Sequence, residues 1–178
     1  SSSSSSSSNN TFIVFNAGVS GTTALKDSAF PYWNTSAYKY SLSVLKTISS
    51  LVIQLGTNDA GQHQLANETL FLRDYKSLIE TFRVENPKVN IFLSIPPPIY
   101  RIREIENDLV MQVNDRLPGF IQRISQETNC HLINVYNALG GEKLTKRECF
   151  NEDGVHPNDI EYNLIAETVA EGLRPFLK

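Results

Sequence analysis

The chain has 178 residues, of which 40% are hydrophobic and 20% are charged, and its formal net charge is −3. This length predicts one domain with a single hydrophobic core, and the slight acidity argues against a nucleic-acid partner, because binding to phosphates needs clustered Lys and Arg. No apolar run approaches the roughly 18 residues of a membrane span, and the N-terminus has no signal-peptide pattern, so we expect a soluble chain without a membrane partner.

The N-terminus is a low-complexity tract in which eight serines, Ser1 to Ser8, precede Asn9 and Asn10. Such a tract has no apolar side chain to bury, and it therefore cannot offset the entropy cost of its own ordering. We divide the chain into a tract at residues 1–10, expected to be disordered, and one folded domain at residues 11–178.

Short apolar runs alternate with longer amphipathic stretches from Thr11 to the C-terminus. The short runs are rich in β-branched residues and predict strands at residues 11–15, 51–55, 89–95 and 131–136. The long stretches have apolar residues at helical spacing and predict helices at residues 36–50, 67–85, 104–128 and 157–177. Asn67 is the expected N-cap of the second helix and Pro87 marks its end, while Pro118 is expected to interrupt the third.

This alternation predicts a three-layer α/β/α fold, in which helices cover both faces of a parallel sheet. Ligands of such sheets bind at the carboxyl ends of the strands. Three polar or glycine-containing loops belong to that edge, at residues 16–22, 56–59 and 153–158. We therefore expect the functional site there.

The third of these loops places Asp153 three residues before His156. A carboxylate that accepts from Nδ1–H fixes the tautomer of a histidine that acts as a general base. The same spacing is also found in ordinary loops, where the pair only helps to start a helix. The pair alone leaves both interpretations open.

The first two loops contain candidate hydrogen-bond donors. Asn58, in the run Gly56-Thr-Asn-Asp59, either donates its side-chain amide into the crevice or forms an Asx turn. The run Asn16-Ala-Gly-Val-Ser-Gly21 contains glycines, which allow unusual φ angles and leave backbone N–H groups free. Donors of both kinds that converge on one point form an oxyanion hole.

In this order, the three loops resemble sequence blocks of the SGNH hydrolases, also called GDSL esterases and lipases: an N-x-G-x-x-G-like block, G-x-N-D and D-x-x-H. The resemblance implies a flavodoxin-like sheet and a serine esterase that cleaves carboxylic esters through an acyl-enzyme, with no metal ion and no organic cofactor. By position in these blocks, His156 would be the general base and Asp153 its orienting carboxylate. Gly21 (through its backbone N–H) and Asn58 (through its side-chain amide) would form the oxyanion hole.

Two further runs, Pro31-Tyr-Trp33 and Pro96-Pro-Pro98, resemble family members that remove acyl groups from carbohydrates. The resemblance therefore implies a small-molecule or carbohydrate ester as substrate, and the absence of a long apolar lid or insertion in the sequence favours a short acyl chain. Tyr32 and Trp33 could form a platform for a sugar, although aromatic side chains more often belong to the core. The compartment and the oligomeric state stay open.

The first block of the family, Gly-Asp-Ser, does not occur in the sequence. In the family its serine ends the first strand, and a helix then crosses to the strand that corresponds to residues 11–15. A crossover of this kind needs about a dozen residues, whereas only two separate Ser8 from Thr11. The nucleophile is therefore unknown, and we expect the sheet to lack its first strand and to have unpaired strand edges.

Other serines are weak candidates for the nucleophile. Ser20 partly matches a G-x-S-x-G elbow, but Thr22 stands where that motif has glycine. Ser28 follows Asp27 without a preceding strand, and Ser94 lies inside a predicted strand. Three hypotheses follow: an esterase, a catalytically dead or truncated member of the fold that binds a ligand or partner, or a complex in which another polypeptide supplies the missing strand and serine.

The remaining reactive side chains have simpler interpretations. Cys130 and Cys149 are too few for a disulfide scaffold or a cysteine-based zinc site. We expect both to stay thiols, because a strand of five or six residues at about 3.3 Å each separates them beyond disulfide reach. His131 is expected to be structural, and His63 to be a solvated loop residue or to line the crevice.

Overall fold

The computed structural model describes residues 12–61, 65, 67–100 and 107–177. The strands in these residues form one parallel sheet in the order β1-β2-β3, where β1 is Ser50–Ile53, β2 is Asn90–Ser94 and β3 is His131–Ile133. The α-helices are α1 (Ser36–Val44), α2 (Thr57–Gly61), α3 (Glu68–Glu85), α4 (Asn107–Met111), α5 (Leu117–Thr128), α6 (Val135–Ala138) and α7 (Asp159–Leu173). A π-helical turn at Gln112–Arg116 joins α4 to α5, and 3₁₀ turns lie at Tyr32–Asn34, Leu45–Thr47, Gly141–Lys143, Arg147–Cys149 and Arg174–Phe176. The serine tract, Thr11 and His63 lie outside the described residues.

Alternating residues of β2 pack on opposite faces of the sheet. Ile91 and Leu93 belong to the larger apolar core, which also contains the buried faces of α3 and α5. Phe92, between them in the chain, belongs to a second core with Ile133 and with residues of α7. Helices therefore cover both faces, which confirms the predicted α/β/α arrangement.

The helix α3 shows how the sequence sets its own boundaries. The side chain of Asn67 accepts a hydrogen bond from the backbone N–H of Leu70 at 3.1 Å, as predicted for an N-cap. The apolar stripe of α3 includes Phe71, Tyr75 and Leu78, and these three side chains are fully buried. The helix ends before Asn86 and Pro87, as expected.

The predicted strand at residues 11–15 is wrong over its described part. Residues 12–15 form no strand, and Ile13 and Val14 are 80% and 88% exposed. The described strands leave β1 paired on one side only, with β2. A strand needs a neighbour for its backbone N–H and C=O groups. Among the described residues this apolar run has no strand partner, and the outer edge of β1 has none either.

Other predicted elements differ in extent. The predicted helix at residues 36–50 ends at Val44, the predicted strand at residues 51–55 spans Ser50–Ile53, and the predicted helix at residues 157–177 spans Asp159–Leu173. The last strand ends at Ile133 and not at residue 136, because Asn134 accepts from the N–H of Asn137 and caps α6 instead. The predicted helix at residues 104–128 is divided over its described part by the π-helical turn, and Pro118 is the second residue of α5, directly after that turn. No helix in the described ranges is both long and apolar enough to cross a membrane.

Candidate active site

The turn before α7 holds Asp153 and His156 in direct contact. One carboxylate oxygen of Asp153 lies 2.7 Å from Nδ1 of His156. The other oxygen accepts from the backbone N–H groups of Val155 and His156, at 2.9 Å each. Three hydrogen bonds therefore tie this carboxylate to the residues that follow it, and the predicted pairing of the two side chains is present.

The charge of Asp153 determines which nitrogen of His156 carries the proton. The backbone N–H groups of His156 and Val155, and then the imidazole, lower the pKa of Asp153 to about 2. An ionised carboxylate only accepts hydrogen bonds, so Nδ1 of His156 is the donor. In the neutral imidazole the lone pair is then on Nε2, which has no hydrogen-bond partner among the described residues. The imidazole is 72% exposed and open to a substrate.

Gly154 attaches this turn to the carboxyl edge of the sheet. Its carbonyl accepts from the backbone N–H of Tyr100, in the segment after β2, at 2.8 Å. Gly154 has a φ of +67°, and a Cβ there would collide with the carbonyl oxygen of Tyr100. The phenol of Tyr100 is itself held, since it donates to the carbonyl of Leu139 and accepts from the N–H of Lys146.

On its other side the turn is joined to α7 through Asn158. The side chain of Asn158 caps the helix by accepting from the N–H groups of Ile160 and Glu161, at 2.9 and 3.2 Å. Its amide also donates to the carbonyl of Glu148 at 2.7 Å. Hydrogen bonds therefore hold the turn of His156 on both sides, to Tyr100 and to the N-terminus of α7.

Gly21 and Asn58, the predicted oxyanion donors, are linked through Thr22, the residue that follows Gly21 in the chain. The side-chain amide of Asn58, in α2, donates to the carbonyl of Thr22 at 3.1 Å. This bond uses one of the two amide hydrogens, and the second remains. Gly21 has a φ of +79°, and its backbone N–H makes no hydrogen bond within the described part of the chain.

The approach of α2 to the sheet depends on Gly56, the first residue of the Gly56-Thr-Asn-Asp59 run. Its φ is +126°, and a Cβ there would lie 2.6 Å from Cδ1 of Leu117. Glycine therefore lets β1 turn directly into α2 and bring Asn58 to the strand end. Among the described residues, the Asn58 side chain makes no hydrogen bond with Asp153 or His156. Asn58 is held at the carboxyl edge of the sheet by β1, and the Asp153–His156 pair is held there by the bond between Gly154 and Tyr100.

Two buried carboxylates beside Asn58 were not assigned a role from the sequence. Asp59 accepts from the backbone N–H groups of Ala24 and Leu25, and Asp74 accepts from that of Lys26. The signal for Asp74 was available: it lies on the apolar stripe of α3, three residues after Phe71, where a charged side chain needs a buried partner. Asp59 gave a weaker signal, because acidic residues after strands are common in turns.

The other candidates of the sequence have structural contacts. The hydroxyl of Ser94 is fully buried and donates to Gln54, and that of Ser28 pairs with Thr23. Ser20 is exposed, next to Gly21, and makes no bond with His156. His131 packs between Phe92 and Phe176, with ring centroids at 4.9 and 4.2 Å, as expected of a structural residue.

Tyr32 and Trp33 belong to the packing around α1 and not to an open platform. Tyr32 is buried and Trp33 donates its indole N–H to the carbonyl of Ala24 at 2.8 Å.

Cys130 and Cys149 are free thiols, as expected. In the part of the chain that the structure describes, no group of three or more His, Cys, Asp or Glu residues could hold a metal ion.

Comparison with protein families gives one family match. The model of the GDSL-like Lipase/Acylhydrolase family matches residues 5–164. This range contains all four candidate site residues. Among curated proteins, an acetylxylan esterase from Xylanibacter ruminicola is 26% identical over 182 residues, which cover 90% of this chain and 35% of that protein. The chain thus spans about a third of the length of this relative.

Solved structures share the fold at low sequence identity. A peptidoglycan O-acetylesterase aligns with a TM-score of 0.64 and 17% identity, over 80% of this chain and 44% of its own. A catalytic mutant of an acetylxylan esterase from Geobacillus stearothermophilus aligns with a TM-score of 0.55 and 19% identity, over 76% and 65%. A GDSL-like lipase from Bacteroides thetaiotaomicron aligns with a TM-score of 0.58 and 20% identity, over 79% and 72%.

Proposed function

The chain belongs to the GDSL-like lipase/acylhydrolase family, and from that premise we propose that it is a carboxylic ester hydrolase for short acyl esters of carbohydrates. The observation that carries this proposal is the 2.7 Å contact between Asp153 and Nδ1 of His156. It leaves the lone pair of Nε2 directed away from the carboxylate, which is the state that a general base needs.

In the proposed reaction, Nε2 of His156 takes the proton of a serine hydroxyl while the serine oxygen attacks the ester carbon; no serine among the described residues bonds to Nε2, and the nucleophile stays unassigned. The tetrahedral oxyanion accepts hydrogen bonds from the N–H of Gly21 and the side-chain amide of Asn58. His156 then returns the proton to the leaving alcohol, and an acyl-enzyme remains. Nε2 next takes a proton from a water molecule, whose oxygen attacks the acyl carbon. The proton then passes to the serine oxygen as the bond between that oxygen and the acyl carbon breaks, which releases the carboxylic acid and regenerates the serine.

Two observations support a carbohydrate ester as the substrate. The relatives include an acetylxylan esterase and a peptidoglycan O-acetylesterase, whose names both refer to O-acetyl groups on polysaccharides. The imidazole of His156 is 72% exposed on the turn before α7, so a bulky substrate can reach it. Both observations favour an acetyl ester on a large alcohol.

A second candidate function is binding without hydrolysis. It is favoured by one observation: no serine among the described residues forms a hydrogen bond with Nε2 of His156. In that case the donors near Asn58 would bind an acylated sugar, and the ester would stay intact.

Acetylated xylo-oligosaccharides distinguish the two functions. We expect the full chain to release acetate from them, faster than it releases octanoate from p-nitrophenyl octanoate, and His156→Ala to abolish the release. Folded protein that releases no acid from either ester contradicts the esterase. If the oligosaccharide then shifts the amide resonances of Gly21 and Asn58 without being cleaved, the binding function is supported.

A further inference from the structure

We propose that Asp59, with Asp74 beside it, is a positioning residue of the candidate oxyanion hole. The two carboxylates hold the backbone of residues 24–26 and thereby set the position of the Gly21 N–H relative to the Asn58 amide. This inference rests on the proposed function of Gly21 and Asn58, and it assigns a role to a pair of buried acids that the ester hydrolysis itself does not use.

The geometry is a clamp on three successive backbone N–H groups. Asp59 accepts from Ala24 at 3.1 Å with one carboxylate oxygen and from Leu25 at 3.0 Å with the other. Asp74, in α3, accepts from Lys26 at 3.0 Å. Charged acceptors bind N–H groups more strongly than neutral ones do, so this loop is fixed by two acids that come from two different helices.

Asp59 can affect the oxyanion donors because it follows Asn58 in α2 and binds the loop that follows Gly21. Asn58 and Asp59 are consecutive residues of α2, and they bind backbone groups two residues apart, the carbonyl of Thr22 and the N–H of Ala24. Gly21 directly precedes Thr22. Any displacement of Asp59 from Ala24 therefore changes the distance between the two candidate donors, Gly21 and Asn58.

Burial makes this arrangement costly, which argues against a purely incidental contact. Asp59 is fully buried and Asp74 is 1% exposed. Arg73 pairs with Asp74 at 2.9 Å, whereas no cationic side chain among the described residues pairs with Asp59, whose carboxylate accepts from backbone N–H groups, those of Ala24 and Leu25 among them. The hydrogen bonds to the backbone N–H groups offset part of the cost of burying the Asp59 carboxylate, so loss of these bonds would leave a buried charge unpaired.

Protonation should weaken the clamp. Burial raises the pKa of Asp59 to about 6, against the opposing effect of the N–H groups of Ala24 and Leu25. The titratable groups that face Asp59 come from α3: Asp74, whose charge also raises this pKa, and Tyr75. Below pH 6 the neutral acid is a poorer acceptor, so the loop that carries Gly21 should loosen.

The test uses amide resonances, which do not depend on ester hydrolysis. Asp59→Asn should shift the Gly21 amide and the Asn58 side-chain amide, and should lower the hydrogen-exchange protection of Ala24 and Leu25 at least tenfold. Asp27→Asn, an exposed acid in the same loop, is the matched control and should change neither. If Asp59→Asn leaves both donor resonances and the protection unchanged, the positioning role is wrong, whatever the enzyme assay shows.

A pH titration of the unmodified chain keeps the proposal testable if Asp59→Asn does not fold. The amide shifts of Ala24 and Leu25 should titrate with a midpoint near pH 6, and the Gly21 amide should follow the same midpoint. A Gly21 resonance that stays constant while Ala24 and Leu25 titrate would overturn the proposal. Where ester hydrolysis is measured, Asp59→Asn should lower kcat with little change in KM, since the donors act in the transition state.

Discussion

The backbone N–H of Tyr100 donates to the carbonyl of Gly154 at 2.8 Å, and this bond joins the segment after β2 to the turn of Asp153 and His156. The candidate base is therefore attached to the sheet through a glycine. That position tolerates no side chain, because a Cβ would meet the carbonyl oxygen of Tyr100.

Gly154→Ala should consequently destabilise the protein and disorder the turn of His156. A left-handed alanine and a backbone clash together cost about 1–3 kcal/mol, which urea denaturation measures. Gly119→Ala is the matched control: Gly119 lies in α5 with open space around it, and alanine there should stabilise the helix by about 0.5–1 kcal/mol. Equal effects of the two substitutions would contradict the role of Gly154.

Asp153 should titrate far below an ordinary aspartate. Its lowered pKa of about 2 means that its contribution to stability is present above the unfolded value of 3.8 and is lost as the pH falls through about 2. Carboxyl ¹³C shifts followed from pH 6 to 1.5 measure this titration. A midpoint near pH 4 would show that the N–H groups of Val155 and His156 do not bind the carboxylate in solution.

Glu161 should make the protein less stable as the pH rises. It is fully buried in α7, its carboxylate oxygens have no hydrogen-bond partner in the described residues, and burial raises its pKa to about 8. The stabilising effect of the neutral acid is therefore complete below the unfolded value of 4.5 and is lost as the pH rises towards 8.

Glu161→Gln should remove this dependence. Between pH 5 and 8 the free energy of unfolding of the variant should rise relative to the unmodified protein by up to about 1.4 kcal/mol per pH unit. Glu167→Gln, an exposed change in the same helix, should not alter the pH dependence. Urea denaturation at pH 5, 7 and 8 measures both variants, and parallel curves for Glu161→Gln and the unmodified protein would contradict the prediction.

The unpaired run at residues 12–15 should contribute little to stability. Val14→Ala should change the free energy of unfolding by less than about 0.5 kcal/mol, since Val14 is 88% exposed. Leu93→Ala, at a fully buried position of β2, should cost about 2–5 kcal/mol. A large loss for Val14→Ala would show that the run is packed in solution.

Local signals in the sequence were sufficient for most of the fold. Asn67 caps α3 as its side chain predicts, and the alternation of Ile91, Phe92 and Leu93 between two cores follows from the two-residue period of a strand. The run at residues 12–15 has the composition of a strand but lacks a neighbour. Composition reports the preference of a segment, whereas a strand exists only with its partner.

The candidate site was predictable where its members are close in the chain. Asp153 and His156 meet across one turn, so their spacing was informative. Asp59 and Asp74 bind a loop about 35 and 48 residues earlier, and a distance of that kind follows only from the tertiary packing of α2 and α3. The stronger local signal was the position of Asp74 on the apolar stripe of α3, and Asp59 gave only the weaker signal of an acid after a strand.

The most direct test of the candidate base is the initial rate of p-nitrophenyl acetate hydrolysis by the full chain, compared with His156→Ala and with His131→Ala as the histidine control. We predict that His156→Ala lowers the rate by about 10²–10⁴, the usual contribution of a general base, and that folded His131→Ala retains it. Equal rates for the unmodified chain and His156→Ala, both folded, would contradict His156 as the base.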